Sequence, residues 1–203
     1  MSEEEIKKRH QESEKHYPYL SLGDNEYIEY AFSRAKICLF GIFCGVGALL
    51  ALILVGFLFL LMNEQSIEPM GRNYLYMMLT VLVAAALLIA LIAVMVYRGN
   101  RLFVTNQRVI QMIMASPVST SLNMIDLASV EDASFHQSGL MQKLFNYGTL
   151  RLATVGDETT YTFTYASISP AQLKAVSKLI TDAKTRKKKR HKNIPDEDVD
   201  QGD

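Results

Sequence analysis

The sequence predicts an α+β membrane protein, in which a two-helix transmembrane hairpin is joined to a curled antiparallel sheet or barrel with a C-terminal amphipathic helix. Three observations favour this class. No Asp, Glu, Lys or Arg occurs from Ile37 to Met62 or from Tyr74 to Tyr97. After the second stretch, short apolar runs alternate with turn residues, which is typical of strands. The chain then carries one segment with helical periodicity and a single apolar face.

The two uncharged stretches predict transmembrane helices at residues 37–62 and 74–97. Each is long enough to cross a hydrocarbon core of about 30 Å. A signal peptide fits the first stretch poorly, because the run is too long and follows a long polar segment. A buried pair of core helices also fits poorly, because both stretches are apolar on every face. The short connection, residues 63–73, makes the pair an antiparallel hairpin.

The distribution of basic residues predicts the orientation of this hairpin. The connecting loop contains a single basic residue, Arg72, whereas Lys and Arg are frequent before the first stretch and after the second. Cytoplasmic flanks hold the excess of Lys and Arg. We therefore expect a multi-pass protein of the cell (plasma) membrane, with an extracytoplasmic loop and both termini in the cytoplasm.

The N-terminal flank divides into two parts. Residues 1–18 are charged and lack an apolar stripe of useful length, which predicts a mobile charged tail that could be briefly helical. Residues 19–36 form a pre-membrane segment with a turn signal at Gly23-Asp24-Asn25 and alternation from Tyr27 to Tyr30. This segment is a possible strand of the soluble domain.

Residues 98–183 are predicted to form the soluble domain. Candidate strands are 102–104, 109–114, 119–125, 128–136, 149–154 and 159–165, with a short helix or turn between Ser138 and Asn146. A closing helix begins after Ser169, which can cap it, with Pro170 at its first position. Its apolar face contains Leu173, Val176, Ile180 and Ala183.

Residues 184–203 are predicted to be a disordered tail, first basic and then acidic. The basic run could lie on an anionic membrane surface, where each charge contributes about 1 kcal/mol. The acidic residues from Asp196 onwards would partly neutralise it. Nucleic-acid binding is not expected, because no aromatic residues are interleaved with the basic ones. A solvated flank that sets the topology is the alternative interpretation.

Three segments together resemble the bacterial pleckstrin-homology (PH)-like membrane proteins. They are Phe103–Ile110 (FVTNQRVI), Ile125–Val130 (IDLASV) and Leu144–Leu150 (LFNYGTL), in that order and after a pair of membrane helices. The approach from Leu20 to Phe32 is also similar. The resemblance spans roughly residues 20–183. It implies a PH-like curled sheet with a C-terminal helix, and it implies no particular activity.

The fold motifs within these segments have a structural and a functional interpretation. Thr105 and Asn106 could line a ligand loop, or Asn106 could stabilise a turn while Arg108 pairs with an acid or the membrane surface. Phosphate sites need several converging Lys or Arg residues, and this turn has one. Tyr147 and Gly148 could form a recognition corner, although a close backbone approach at Gly148 is the favoured interpretation. The candidate ligand or lipid surface comprises Arg98, Arg101, Arg108, Lys187, Lys188, Lys189 and Arg190.

Small residues mark candidate helix-packing positions in the two apolar stretches. They are Gly41, Gly45 and Gly47 in the first and Ala86 and Ala90 in the second. Close packing of the two helices against each other accounts for this pattern, and a homo-oligomer is the alternative. Because neither stretch contains an ionisable Asp, Glu, Lys, Arg or His, an ion pathway or transport site is not expected.

The sequence predicts no catalytic, metal or cofactor site. The four histidines are scattered without metal-ligand spacing, and Cys38 and Cys44 lie in an apolar stretch without His or acidic neighbours. We therefore expect a non-enzymatic binding module without a cofactor, which recruits a protein or peptide at the cytoplasmic face of the lipid bilayer. An anionic-lipid headgroup module and an oligomeric membrane scaffold are the alternatives.

Overall fold

The computed structural model describes residues 2–62, 69–154 and 160–192. The described residues fall into two compact units. One is built from residues 2–33, 101–112 and 122–192, and the other from residues 34–100 and 113–121. The chain therefore enters the first unit, leaves it for the two apolar helices, and returns to it.

Two long apolar helices, α2 (Ile37–Met62) and α3 (Pro69–Gly99), form most of the second unit. By length and composition both are able to cross a membrane, with mean hydropathies of 2.8 and 3.1 over their most apolar windows. The predicted bounds of α2 agree with the structure. Helix α3 is longer than the predicted 74–97, because Pro69 is tolerated at the first helical position and the polar residues after it continue the helix. Residues 69–73 of the predicted loop are thus helical, and residues 63–68 lie outside the described residues.

The contact between α2 and α3 includes an aromatic pair and a buried alanine of α3. Ala86 is buried at 3% exposure, and the ring centroids of Phe57 and Tyr76 are 5.9 Å apart. A methyl group added at Gly41, Gly45 or Gly47 would meet no described atom within 4 Å. The three glycines therefore do not mediate the α2–α3 contact, contrary to the packing expected from their spacing. Periodicity alone could not tell which face of α2 meets its neighbour.

The N-terminal segment predicted to be a mobile charged tail contains helix α1 (Glu3–His16). Ser2 caps it by accepting a hydrogen bond from the Glu5 amide at 3.3 Å, and three acidic residues in its first turn suit the helix dipole. The Ser13 hydroxyl accepts a hydrogen bond from the Ile28 amide at 3.1 Å. The sequence allowed brief helicity here, and the helix spans 14 residues. The contacts that hold it are polar, so they leave no apolar stripe in the sequence.

Strand β1 (Ile28–Ser33) comes from the pre-membrane segment and pairs antiparallel with β2 (Arg101–Thr105). Phe32 lies opposite Leu102 in this pairing and is 3% exposed. The possible strand predicted in residues 19–36 is therefore confirmed, and the soluble domain extends beyond the range 98–183 to include residues on both sides of the apolar helices. Residues Arg98 and Gly99 belong to α3.

The remaining strands form two antiparallel sheets. Strand order is β1-β2-β3-β4 in one sheet and β5-β6-β7 in the other. The strands are β3 (Arg108–Ser116), β4 (Ser119–Asp126), β5 (Val130–His136), β6 (Gly148–Thr154) and β7 (Thr160–Ala166), with a 3₁₀ turn at Leu127–Ser129 and helix α4 (Leu140–Leu144) between β5 and β6. Every strand and the short helix predicted after residue 98 are present, within a few residues at each end. Side chains from both sheets share one apolar core.

Helix α5 (Pro170–Lys192) closes the core. The Ser169 hydroxyl accepts from the Gln172 amide at 3.3 Å and the Gln172 side chain accepts from the Ser169 amide at 2.9 Å, which is a capping box. Val176 and Ile180 are buried, and Leu173 and Ala183 pack beside them, as predicted. The helix continues to Lys192, so residues 184–192 are helical and not part of a disordered tail. Residues 193–203 lie outside the described residues.

The backbone at Gly148 passes so close to β5 that there is no room for a side chain at this position. A methyl group at this position would lie 2.5 Å from the His136 carbonyl oxygen and 2.8 Å from Cζ of Phe135. We expect Gly148→Ala to lower the free energy of unfolding of the soluble domain by about 1–3 kcal/mol, as overpacking does. Hydrogen exchange of β5 and β6 measures this change. Gly139→Ala is not a suitable control, because Gly139 has a φ of +94° and an alanine there would be strained. Ser134→Ala, at an exposed position of β5, is the control. Equal protection in Gly148→Ala and Ser134→Ala would contradict the steric account.

Candidate functional site

An open groove of about 1060 Å³ lies in the first unit, where three elements meet. The β2–β3 turn forms one wall, the end of β4 another, and the C-terminal part of α5 the third. The lining residues are Gly23, Glu26, Asn106, Gln107, Arg108, Met124, Ile125, Asp126, Ala128, Ala183, Arg186, Lys187 and Lys189. Four of these are basic and two are acidic, and four others are apolar. The groove is therefore amphipathic with an excess of positive charge.

A buried ion pair lies at the base of the groove. The Glu26 side chain is 1% exposed and the Arg108 side chain 28% exposed, and Nη2 of Arg108 lies 2.6 Å from Oε2 of Glu26. Nε of Arg108 donates to both carboxylate oxygens, at 2.9 and 3.0 Å. Thr105 donates its hydroxyl to Oε1 at 2.7 Å, and the Gly23 amide donates to Oε2 at 2.7 Å. The carboxylate thus has four donor groups.

These contacts hold Glu26 in its charged form. Burial raises the pKa of Glu26, but the hydrogen bonds from Arg108, Gly23 and Thr105 and the positive charge of Arg108 outweigh burial, so its pKa lies below the ordinary value of 4.5. The hydrogen bonds to Glu26 raise the pKa of Arg108. Both groups are ionised at neutral pH, and the pair carries no net charge toward the groove.

All three guanidinium nitrogens of Arg108 have hydrogen-bond partners within the protein. Besides Glu26, its Nη2 donates to the Ser21 carbonyl oxygen at 2.9 Å, and its Nη1 lies 3.3 Å from Sδ of Met124. Of the two interpretations that the sequence allowed, the structure shows Arg108 paired with an acid. Its guanidinium is therefore not available to hold a phosphate without breaking a buried ion pair.

The β2–β3 turn is docked onto the pre-membrane segment. The Asn106 side chain accepts from the Tyr27 amide at 3.1 Å and donates to the Asn25 carbonyl oxygen at 3.1 Å. Gln107 donates its side-chain amide to the Asp24 carbonyl oxygen at 3.2 Å. The Thr105 hydroxyl accepts from the Arg108 amide at 2.9 Å within the turn itself. These residues hold the shape of the turn, and Asn106 and Gln107 also line the groove.

The basic residues of α5 provide the charge of the groove. Arg186, Lys187 and Lys189 line it and are exposed. Nζ of Lys187 lies 3.7 Å from Oδ2 of Asp126, and both side chains are 56% exposed. Arg186 and Lys189 form no ion pair with any residue in the described ranges. Lys188 is exposed but does not line the groove, and the side chain of Arg190 lies outside the described part of the chain.

The other candidate surface residues do not join this site. Arg98 is an exposed residue of α3. Arg101 begins β2, and its Nη1 donates to the Tyr19 hydroxyl at 3.4 Å. The predicted ligand surface is therefore dispersed, and only Arg108 and Lys187 and Lys189 of α5 lie at the groove.

Sequence reasoning missed Glu26, the residue around which the site is built. Glu26 directly follows the turn signal at Gly23-Asp24-Asn25, and a single acidic residue beside a polar turn carries no burial signal. One signal was available: Glu26 is flanked by the apolar residues Leu20, Leu22, Tyr27 and Ile28, and Arg108 begins β3 directly after the β2–β3 turn. The ion pair between Glu26 and Arg108 could not be predicted from either residue alone, because it depends on the pairing of β1 with β2.

No group of three or more His, Cys, Asp or Glu residues that could hold a metal ion occurs among the described residues. The two acids at the groove, Glu26 and Asp126, are each paired with a basic residue. This groove offers a ligand the hydrogen-bonding groups of the β2–β3 turn, apolar side chains and the positive charges of α5. These are the elements of a binding surface.

Comparisons with known proteins identify the family of this chain. The family model described as "Bacterial PH domain" matches residues 39–184. Among solved structures, the chain is similar to a DUF1696 family protein with a pleckstrin-homology domain from Shewanella loihica PV-4, at 13% identity and a TM-score of 0.31. The alignment covers 42% of this chain and 70% of that one. No curated protein matches the sequence. On the extent of the family match, this chain belongs to the bacterial PH domain family.

Proposed function

We propose that this chain is a membrane-anchored PH-like binding module that recruits an acidic, partly apolar peptide segment of a partner protein at the cytoplasmic face of the membrane. The groove binds the peptide, and α2 and α3 anchor the module as a multi-pass protein with both termini in the cytoplasm. The domain acts by binding and not by catalysis. The observation that carries the proposal is the lining of the groove, which combines apolar side chains with basic residues of α5.

The composition of the groove favours a peptide over a phosphorylated headgroup. Phosphate recognition needs several Lys or Arg side chains that converge on one point. Here Arg108 is paired with Glu26, and Lys187 lies near Asp126. Met124, Ile125 and Ala183 also line the groove and suit apolar side chains of a ligand. A peptide with both acidic and apolar residues complements this surface better than a compact phosphate does.

The edge of the four-stranded sheet gives such a peptide a way to bind. Strand β4 is last in the order β1-β2-β3-β4, so among the described strands it has a neighbour on one side only. Its residues Met124, Ile125 and Asp126 line the groove. An extended peptide can add to a free sheet edge by main-chain hydrogen bonds, while its side chains enter adjacent pockets. We expect the peptide to run along Leu122–Asp126 with its acidic residues toward α5.

Reversal of two groove charges tests the proposal. The full chain is reconstituted in phosphatidylcholine nanodiscs, and binding of a fluorescein-labelled peptide with alternating Glu and Leu or Phe residues is followed by anisotropy. Arg186→Glu with Lys189→Glu is expected to weaken binding by about tenfold or more, since two exposed attractions become repulsions. Lys174→Glu with Lys178→Glu is the matched control, because both residues are exposed on the same helix and do not line the groove.

Equal weakening by the two double variants would show that only net charge matters, and the groove proposal would then fail. A peptide in which Lys replaces every Glu is the negative probe, and it should bind less tightly than the acidic peptide. If wild-type protein binds both peptides equally, the basic residues of α5 do not select the ligand.

An anionic-lipid headgroup is the second candidate ligand. The observation that favours it is the exposure of four consecutive basic residues, Arg186 to Lys189, on α5. Phosphatidylglycerol nanodiscs discriminate between the two candidates in the same assay. Competition by this lipid, with loss of peptide binding at low salt and recovery at high salt, would favour the headgroup. A peptide affinity that is the same in both kinds of nanodisc would favour the peptide.

An oligomeric membrane scaffold is a third candidate. It draws on Gly41, Gly45 and Gly47, which leave an exposed face on α2 that α3 does not use. Small residues on an apolar helix permit close approach of a second helix. This face is compatible with the binding function, since a homo-oligomer would present several copies of the groove.

A further inference from the structure

Helix α4 and the residue that follows it, Phe145, together expose four large apolar side chains that lie outside the core. Leu140 is 77% exposed, Met141 59%, Leu144 68% and Phe145 45%. We call these four residues the α4 face. Their spacing places Leu140 and Leu144 one helical turn apart, with Met141 and Phe145 beside them. Exposed apolar clusters of this kind mark interaction sites more often than isolated apolar residues do.

Hydrogen bonds hold this loop in shape without burial of the α4 face. The Ser138 amide donates to the Gln142 side chain at 2.6 Å, and the Gln137 side chain donates to the Tyr147 carbonyl oxygen at 3.1 Å. The Tyr147 amide donates to the Gln142 carbonyl oxygen at 3.0 Å. The backbone turns on either side use positive φ angles, 94° at Gly139 and 51° at Asn146. The apolar side chains are thus presented by an ordered loop, although they contribute nothing to the core.

The surroundings of the α4 face suit a membrane surface. Tyr147 follows the α4 face closely in sequence, its ring centroid lies 6.3 Å from that of Tyr165, and Tyr165 is 44% exposed. Tyrosine is enriched at the membrane–water interface, because its ring is apolar and its hydroxyl is polar. No Asp or Glu occurs between Asp132 and Asp157, whereas Lys143 and Arg151 in that interval are exposed. The combination of an exposed apolar face, nearby tyrosines and basic residues without acidic ones is typical of a surface that lies at the membrane–water interface.

From these observations we infer that the α4 face inserts into the acyl–headgroup boundary of the lipid bilayer. The chain itself supplies a reason why the bilayer is the occupant. Helix α3 is apolar enough to cross a membrane, and only Asn100 separates its end from β2. This inference rests on the proposed anchoring of the chain by α2 and α3, which keeps the bilayer within reach of the domain at a high effective concentration.

The size of the α4 face also favours lipid over a protein partner. Stable protein interfaces bury about 800 Å² on each partner. A five-residue helix presents much less, whereas insertion into a bilayer scales with the buried apolar area and has no minimum footprint. The insertion would orient the domain on the membrane, which goes beyond ligand binding in the groove.

Environment-sensitive labelling of the full chain tests the inference. In a background with Cys38→Ala and Cys44→Ala, Met141→Cys is labelled with a nitrobenzoxadiazole fluorophore and reconstituted in phosphatidylcholine–phosphatidylglycerol vesicles. Ser177→Cys, exposed on α5, is the matched control. We expect the label at residue 141 to have blue-shifted emission, to be quenched by lipids with brominated acyl chains, and to be quenched several-fold less by aqueous iodide than the label at residue 177.

A second set of variants tests whether protection of the label at residue 141 from iodide depends on the α4 face. Leu140→Ser with Leu144→Ser is expected to restore iodide quenching at residue 141, and protection that survives this change would overturn the inference. The inference is likewise overturned if iodide quenches both labels equally and brominated lipid leaves residue 141 unaffected. In that case a protein is the occupant to seek. Because the α4 face shares no residue with the groove, the peptide affinity of the Leu140→Ser, Leu144→Ser variant remains an independent measure of the proposed function.

Discussion

Deletion of residues 19–32 is expected to abolish the stable fold of the PH-like domain. The deletion removes nearly all of β1 and the acidic member of the buried ion pair. Loss of the buried Phe32 ring alone costs about 3–5 kcal/mol, by analogy with Phe→Ala substitutions. Loss of Glu26 leaves Arg108 without its partner, which costs a similar amount. The sum approaches the whole stability of a typical domain, about 5–15 kcal/mol.

Hydrogen exchange of the full chain in detergent micelles measures this effect. The amides of β2 and β6 should lose their protection in the deletion variant. Deletion of residues 3–16, which removes α1 alone, is the control. That change removes polar contacts such as Ser13 with Ile28, worth about 1 kcal/mol each, and should leave the central strands protected. Full protection of β2 after deletion of residues 19–32 would show that β1 is not an integral strand of the domain.

Arg108→Ala is the single substitution expected to destabilise the domain most through electrostatics. It removes the guanidinium that bonds both oxygens of a carboxylate with 1% exposure. An unpaired buried charge costs about 3–5 kcal/mol. The same hydrogen-exchange experiment measures the change. Arg151→Ala, at an exposed position of β6, is the matched control and should alter stability by about 0.5 kcal/mol or less.

The ion pair also makes an acid-sensitive contribution whose sign follows from the pKa of Glu26. This pKa is lowered below 4.5 in the folded domain. The charged carboxylate therefore contributes its full stabilisation above pH 4.5, and this contribution is lost as the pH falls below 4.5 through the folded pKa. Wild-type protein should lose stability in that range more steeply than Glu26→Gln, which has no carboxylate to protonate. Identical pH profiles of the two proteins would contradict a charged Glu26 in the folded state.

Arg108 is also the residue that the sequence placed on a ligand surface. If Arg108→Ala weakens peptide binding without loss of protection in β2, the guanidinium has a role in the ligand contact after all. A loss of both together is the result expected from a residue that holds the floor of the groove.

Local signals were sufficient for most of the soluble domain. The strands from β2 to β7 follow alternating apolar residues bounded by turns, and Ser169 with Pro170 marks the start of α5. Such signals depend on neighbours a few residues apart, so they can be read along the chain. The same holds for α2, where the absence of charge from Ile37 to Met62 sets both ends of the helix.

Other features could not be predicted, because they depend on residues far apart in sequence. Glu26 meets Arg108 across an interval that contains both apolar helices. The pre-membrane strand was itself predicted as possible, but its pairing with β2 crosses the same interval and no local pattern specifies that partner. The order of α1 depends on polar contacts such as Ser13 with Ile28, which leave no periodic apolar pattern. The glycine face of α2 had the right spacing for packing, but spacing does not specify the neighbour.

By itself, the sequence determined the two apolar helices, the run of strands, the short helix between β5 and β6 and the closing helix, because hydrophobic periodicity and turn chemistry are local. Only the tertiary structure decided that residues before the first apolar helix belong to the domain, that Arg108 is held by a buried carboxylate, and that the basic end of α5 lines a groove beside β4. Those outcomes depend on pairing across long intervals, where burial and hydrogen bonding select partners that no local pattern identifies.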